Sequence, residues 1–227
     1  MSGVAVVSPH PDDETLGCGG TLLRHGEQGD QLDWIIFTEM REAQGFELDR
    51  IDSRQSEIER VASRYNFTHV AELGFPAAGL EQVEMRELVD AFADVLRERR
   101  PQVLYVPFRH DAHTDHRVVY DVVSACSKWF RHPSVRRILA YETLSETNFG
   151  LRSGSDGNFV PNVYVDIEDQ LGQKLAIMEE YASELGAHPF PRSETAIRSL
   201  AELRGSESGF EAAEAFSLLL DRRGSDD

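Results

Sequence analysis

Apolar residues along this chain fall into two rhythms that take turns. Short unbroken runs, rich in β-branched side chains, occupy residues 3–8, 32–38, 70–75 and 103–106 and read as strands buried on both faces. Between them the spacing stretches to three and four. Residues 51–65 carry Ile51, Ile58, Val61, Ala62 and Tyr65 along one side, and residues 84–99 carry Leu88, Val89, Phe92, Val95 and Leu96. A helix over residues 16–28, stopped by Gly29-Asp30, and another over residues 115–130 complete the alternation. The same patterns predict strands at residues 138–142 and 162–167, a helix from there to about residue 184, and two shorter helices at the end. Trp34 lies inside the second strand and Trp129 closes the apolar face of the 115–130 helix, so both are expected in the core.

Strands alternating with helices of this length need crossover connections, which are right-handed. The implied fold class is α/β, a mostly parallel sheet with helices on both faces. The 227 residues suit one hydrophobic core, so residues 1–227 are expected to form a single domain. In such sheets ligands bind beyond the carboxyl ends of the strands. That rule directs attention to the loops after Ser8 and after Val106.

Composition narrows the partners. Asp and Glu number 40 against 23 Lys and Arg, a net charge of −17, which repels phosphate backbones and anionic lipid and argues against a nucleic-acid partner. No apolar stretch approaches the roughly 20 residues of a membrane span. The first residues lack the positive charge that opens a secretory signal and read as a strand. Cys18 and Cys126 are too few for a disulfide framework; they point to a reducing cytoplasm, with both as small buried apolar side chains.

The two loops hold the chemistry. One reads Pro9-His10-Pro11-Asp12-Asp13-Glu14 and the other His110-Asp111-Ala112-His113-Thr114-Asp115-His116, which together hold four of the eight histidines and five carboxylates. Carboxylates gathered this closely repel unless a cation compensates them. Imidazole with carboxylate suits Zn²⁺, whose catalytic sites use three protein ligands and leave one position for water. A closed set of four ligands, such as His10, Asp13, His113 and His116, would instead make a metal-binding module without turnover. The turn Gly17-Cys18-Gly19-Gly20 does not match the G-x-G-x-x-G spacing of a dinucleotide site, and Asp12, Asp13 and Glu14 would confront a pyrophosphate. These glycines are expected to let the first helix pack closely on the sheet.

Both loops resemble the motifs of the PIG-L, or LmbE-like, zinc-dependent de-N-acetylases. The matching stretches are Pro9-His10-Pro11-Asp12-Asp13-Glu14 and His113-Thr114-Asp115-His116, with weaker similarity at Arg54-x-x-Glu57 and Tyr181-Ala182-Ser183. The resemblance implies a Rossmann-like layer with a small C-terminal helical part. It implies His10, Asp13 and His116 as Zn²⁺ ligands and Asp12 as general base. It implies His113 as the group that stabilises the oxyanion or passes a proton, with Asp115 holding that imidazole. The implied substrate is a small N-acetylated amino sugar or sugar conjugate, with an amide of a thiol conjugate as the alternative. Homo-oligomers are common among family members. Arg54 and Arg117 flank the metal loops and are expected substrate contacts, suited to a phosphorylated or nucleotide-linked sugar. Tyr181, His188 and Arg192 are further candidates. One departure stands out: many members carry an acidic residue after the third strand, whereas Phe75-Pro76-Ala77-Ala78-Gly79-Leu80 has none.

Overall fold

A computed structural model describes residues 2–151 and 157–224; Met1, at the head of the first run, lies outside the described residues. The chain opens with β1 (Gly3–Ser8), α1 (Asp13–Glu27), β2 (Gln31–Glu39), α2 (Leu48–Tyr65) and β3 (His69–Pro76). It continues with α3 (Met85–Arg99), β4 (Val103–Pro107), α4 (Thr114–Cys126) and β5 (Arg137–Tyr141). Beyond these come β6 (Val163–Asp166), α5 (Leu171–Met178), α6 (Glu194–Ser208) and β7 (Ala213–Asp221). The described strands form one sheet in the order β3-β2-β1-β4-β5-β7-β6. Strands β1 to β5 pair in parallel, and β7 lies antiparallel between β5 and β6.

The central strand shows why its run is apolar without a break. Val4 and Val6 point into one cluster, with Leu22 of α1, Tyr65 of α2 and Ile177 of α5. Ala5 and Val7 point into the other, with Leu88 and Phe92 of α3 and Val119 of α4. A strand covered on both faces leaves no register for polar residues. Strand order reverses between β1 and β4, so their following loops lie side by side at the switch point.

Helix α1 is broken near its start, where Cys18 adopts φ −147° and ψ 24°. Glu214 of β7 accepts bonds from the amides of Gly20 (2.9 Å) and Thr21 (2.7 Å), capping the longer part that follows. The Lys174 ammonium donates to Glu214 (2.7 Å) and to the Leu16 carbonyl (3.0 Å), which holds the short first part in place. The glycine turn packs closely, as expected from sequence. A Cβ at Gly17 would stand 2.3 Å from the Tyr141 ring, and one at Gly20 2.7 Å from Ile167.

Two expectations need correction. Of the two helices expected at the end only α6 forms; residues Ala213–Asp221 are a strand. This segment is rich in Ala and Leu, good helix formers, but pairing with β5 and β6 overrides that preference. Helix α4 stops at Cys126, so Trp129 falls in the turn beyond it, 64% exposed against Phe130. Trp34, by contrast, is fully buried and donates to Ser8 Oγ at 3.0 Å. Cys18 and Cys126 are buried free thiols. No helix of the described residues is long and apolar enough to cross a membrane.

Breaking the pair at the α1 break has a predicted cost. Glu214→Ala leaves the Lys174 ammonium buried without its partner and should lower stability by about 3–5 kcal/mol. Urea unfolding followed by circular dichroism measures it, and a loss below 1 kcal/mol would refute the role given to the pair.

Candidate active site

The carboxyl ends of β1 and β4 face a cavity of about 290 Å³. Its floor holds His10, Asp12, Asp13, His113 and His116, and one wall is apolar, from Phe46, Ile51 and Ile58. The loop after β1 and the first turn of α1 deliver the first three floor residues; the start of α4 delivers the two histidines.

Asp13 is the hub. Its Oδ2 lies 3.4 Å from His10 Nδ1 and 3.3 Å from His116 Nε2, and accepts the His10 amide at 2.9 Å. Each imidazole is held from behind by another carboxylate. His10 Nε2 is 3.0 Å from Asp115 Oδ2, and His116 Nδ1 is 2.8 Å from Asp111 Oδ2. Asp111 in turn accepts from Thr147 Oγ1 at 2.6 Å. Burial opposes charge on His10, yet its bonds with Asp115 and Asp13 outweigh burial and raise its pKa to about 9. His116 moves the same way: burial is overcome by Asp13 and Asp111. Burial likewise works against the Asp13 carboxylate, and the two histidines still hold it far below the usual range. The three acidic side chains thus demand positive charge on the ring nitrogens between them, from protons or from a metal ion.

Asp12 is the opposite case. Burial pushes its carboxyl well above the usual range, and the charges of Asp13 and Glu184 add to that, against Arg54 and Arg192. It precedes α1 at φ 129°, a left-handed conformation that side chains other than glycine rarely adopt, and its carboxylate makes no capping bond. The backbone is held there by Glu14, whose Oε2 accepts the Asp12 amide at 3.0 Å while Oε1 takes Thr15 Oγ1 (2.6 Å) and Tyr181 OH (2.8 Å). Glu14 is buried, and burial pushes its pKa up to about 7 against those bonds.

Asp115 holds the His113 imidazole through its backbone amide and not through its carboxylate. Its carboxylate stands 4.0 Å from His113 Nδ1 and is bonded to His10 and to the amides of Ala78 (2.8 Å) and Leu80 (3.1 Å). His113 instead caps α4, its Nδ1 accepting the Asp115 amide at 3.1 Å. A ring that accepts on Nδ1 carries its proton on Nε2 when neutral. Burial, with the charge of His10, lowers the His113 pKa to about 4, which keeps it neutral.

The arginines divide. Arg54 lines the cavity, but it is buried, donates to the Pro11 carbonyl at 2.9 Å and pairs with Glu184 and Glu57. Arg117 lies exposed on α4 and outside the cavity lining, because the helical turn that aims His116 inward aims its neighbour away. Arg192 lines the cavity; Tyr181 is buried behind it, with Arg54 over its ring at 5.4 Å, and His188 is not in the lining. The sequence assigns no role to Glu184 or Glu146, which line the cavity from loops that carry no motif, and for Asp111 it leaves open a hydrogen bond within the His113 loop or a cap on its turn; the structure pairs Asp111 with His116. The proximity of Asp111 to the His113–His116 motif was the one signal for it.

Comparison with known proteins identifies the family. A family described as PIG-L, GlcNAc-PI de-N-acetylase, matches residues 5–127, from β1 through α4 and both loops. The chain belongs to the PIG-L family. Among PIG-L relatives, diacetylchitobiose deacetylase of Thermococcus kodakarensis is 25% identical over 233 residues, covering 93% of this chain and 80% of its own. The crystal structure of the conserved protein TT1542 from Thermus thermophilus superposes with TM-score 0.77 at 26% identity, covering 99% of this chain and 97% of that one. The fold is also that of GalB, a 4-carboxy-2-hydroxymuconate hydratase of Pseudomonas putida (TM-score 0.74, 17% identity, 99% of each chain). A PIG-L fold alone therefore leaves the reaction to be argued from the site.

The strain at Asp12 is testable. Asp12→Gly relieves both the left-handed backbone and the crowding with Asp13, and should raise the stability of the metal-free protein by about 1–2 kcal/mol. Urea unfolding reads the change; a loss of stability would show that the conformation is not strained.

Proposed function

We propose that this protein is a zinc-dependent N-deacetylase that removes the acetyl group from an amino sugar or sugar conjugate and releases acetate, with residues 1–227 acting as one unit. One observation carries the reading. Ligands at about 2.0–2.1 Å in a tetrahedral zinc site stand roughly 3.3 Å apart. Asp13 Oδ2 lies 3.4 and 3.3 Å from His10 Nδ1 and His116 Nε2. Both imidazoles also have the outer carboxylate partner that orients metal-bound histidines. The donor set thus fits zinc held by His10, Asp13 and His116. His10, His113 and Asp115 also come within reach of a common ion, but two backbone amides already occupy the Asp115 oxygens and the start of α4 occupies His113 Nδ1. That same cap on His113 argues against a closed four-ligand module.

Zinc bound there supplies Lewis acidity, acidifying water and polarising the amide carbonyl. Asp12, whose carboxylate bonds to no described side chain, takes the proton from the attacking water. Burial and the neighbouring carboxylates raise its basicity for that task. His113 donates its Nε2 proton as a hydrogen bond to the oxygen of the tetrahedral intermediate, a preorganised interaction. Asp12 then returns its proton to the leaving nitrogen, and the C–N bond breaks to give acetate and the free amine. Arg54 and Glu184 fix the back of the pocket, Arg54 through the carbonyl of Pro11, next to Asp12.

The experiment is an acetate-release assay with parallel metal analysis. The protein should hold about one zinc per chain, and chelation should abolish turnover until zinc is restored. Asp12→Asn should keep its zinc while kcat falls about 10²–10⁴-fold. Asp13→Ala should lose affinity for zinc itself. His113→Ala should keep zinc and lose about 10²–10³ in kcat. Full turnover by chelated protein would reject the zinc reading, and zinc loss in Asp12→Asn with retention in Asp13→Ala would reverse the two roles.

A further inference from the structure

The charges around the cavity are unevenly spoken for. Two lining arginines, Arg54 and Arg192, both bond to one carboxylate, Glu184, which also takes Arg50 at 2.8 Å. Arg192 adds a bond to Ser145 Oγ at 3.1 Å, and Arg54 one to the Pro11 carbonyl. An anionic group entering the cavity would compete with Glu184 for a guanidinium already bonded to it, since Arg50, Arg54 and Arg192 are all held by Glu184, the first two also by Glu57.

The acidic side is not balanced in this way. Glu146, on the loop after β5, lines the cavity half-buried, and its carboxylate meets only the hydroxyl of its neighbour Ser145 at 3.4 Å. Glu72 of β3 also lines it, with only Gln55 Nε2 at 3.3 Å. No lysine or arginine of the described residues forms an ion pair with either. Glu39, at the rim, is paired with exposed Arg41, which does not line the cavity. Asp12, 6% exposed on the floor, is the third lining carboxylate without an ion pair among the described residues, and no hydrogen-bond donor among them reaches its carboxylate oxygens. A zinc ion on the floor would be outweighed locally by the three carboxylates Asp13, Asp111 and Asp115, leaving no positive charge of its own for Glu146 and Glu72.

We infer that the cavity selects a cationic amino sugar, one that bears a free ammonium group besides the acetylated nitrogen, and that Glu146 receives this ammonium. Glu72 gives the second contact, at the mouth. Phe46, Ile51 and Ile58 line the same cavity and offer an apolar surface to the sugar ring. Phosphorylated and nucleotide-linked sugars, for which Arg54 and Arg117 had been candidate contacts, are disfavoured: one arginine is committed to Glu184 and the other lies outside the cavity. Turnover of such a substrate rests on the deacetylase reading; its recognition does not.

Matched 2-acetamido sugars test the inference on the zinc-loaded protein. They differ at one position, which carries hydroxyl, ammonium or phosphate, with that position at C6 in one series and on the aglycone in another. Acetate release gives kcat/KM, and calorimetry of the corresponding deacetylated sugars gives Kd. In at least one series the ammonium compound should exceed the hydroxyl compound about tenfold and the phosphate compound should fall below both, with the gap narrowing as salt is raised. Glu146→Gln should bring the ammonium-to-hydroxyl ratio close to one, Glu72→Gln should reduce it less, and Glu98→Gln on the exposed side of α3 should leave it unchanged. A preference for phosphate, no preference for ammonium in either series, or a ratio unaffected by Glu146→Gln overturns the inference. Equal turnover of all three compounds would overturn it while leaving deacetylation standing. Ammonium-selective binding without any acetate release would uphold it and reject deacetylation.

Discussion

Repulsion among carboxylates gathered at one edge of a parallel sheet is the constraint on which this structure turns. Asp12, Asp13, Glu14, Asp111 and Asp115 all arrive through two loops, and each is relieved differently. Asp13, Asp111 and Asp115 are relieved by imidazoles, with Asp115 also taking two backbone amides. Asp12 and Glu14 are buried without a cation and are instead pushed toward the protonated form. Neighbouring carboxylates with opposite tendencies are what a site needs to bind a cation with one and move a proton with the other. The division follows from backbone direction: Asp13 is in the first turn of α1, while Asp12, one residue earlier, is turned out of the helix at positive φ.

Much of this was legible in the sequence because strands and helices with unambiguous periods carry it. The strands that flank the switch point are short, apolar and bounded, so the sequence alone places the loops that follow them. What escaped was set by contacts distant in sequence. β7 is written in helix-forming residues and becomes a strand only because β5 and β6 offer it edges. Trp129 has the right spacing for α4 but lies past its last residue. The roles of Asp111 and Asp115 depend on which ring nitrogen each meets, and spacing along the chain does not encode that. Glu146 and Glu184 sit in loops without a pattern and reach the cavity only through the fold.

A second layer of order lies behind the visible site. Tyr65 donates to Thr15, Thr15 to Glu14, and Tyr181 to the same Glu14 oxygen, while the other oxygen holds the Asp12 amide. Each buried polar group in this relay has a partner, so the relay rigidifies instead of merely adding polarity. It fixes an unfavourable backbone angle at Asp12, whose carboxylate is left open to the cavity. The close glycine contacts serve the same end, since a helix standing any farther from Tyr141 would carry Asp13 away from the histidines.

The cap that β7 places on α1 has a consequence for how the protein comes into being. Glu214 follows Gly20 by 194 residues, yet it is the acceptor that starts the longer part of the first helix. A ribosome making this chain releases β1 and both loops long before that acceptor exists. The cap on the first helix therefore comes late, 40 residues after the lysine that binds the same carboxylate, and the acidic floor takes its final shape only when β7 slots between two neighbours made before it. Long-range closure of this kind slows folding, and it also means that an interrupted polypeptide displays the motif residues without the frame that makes them a site.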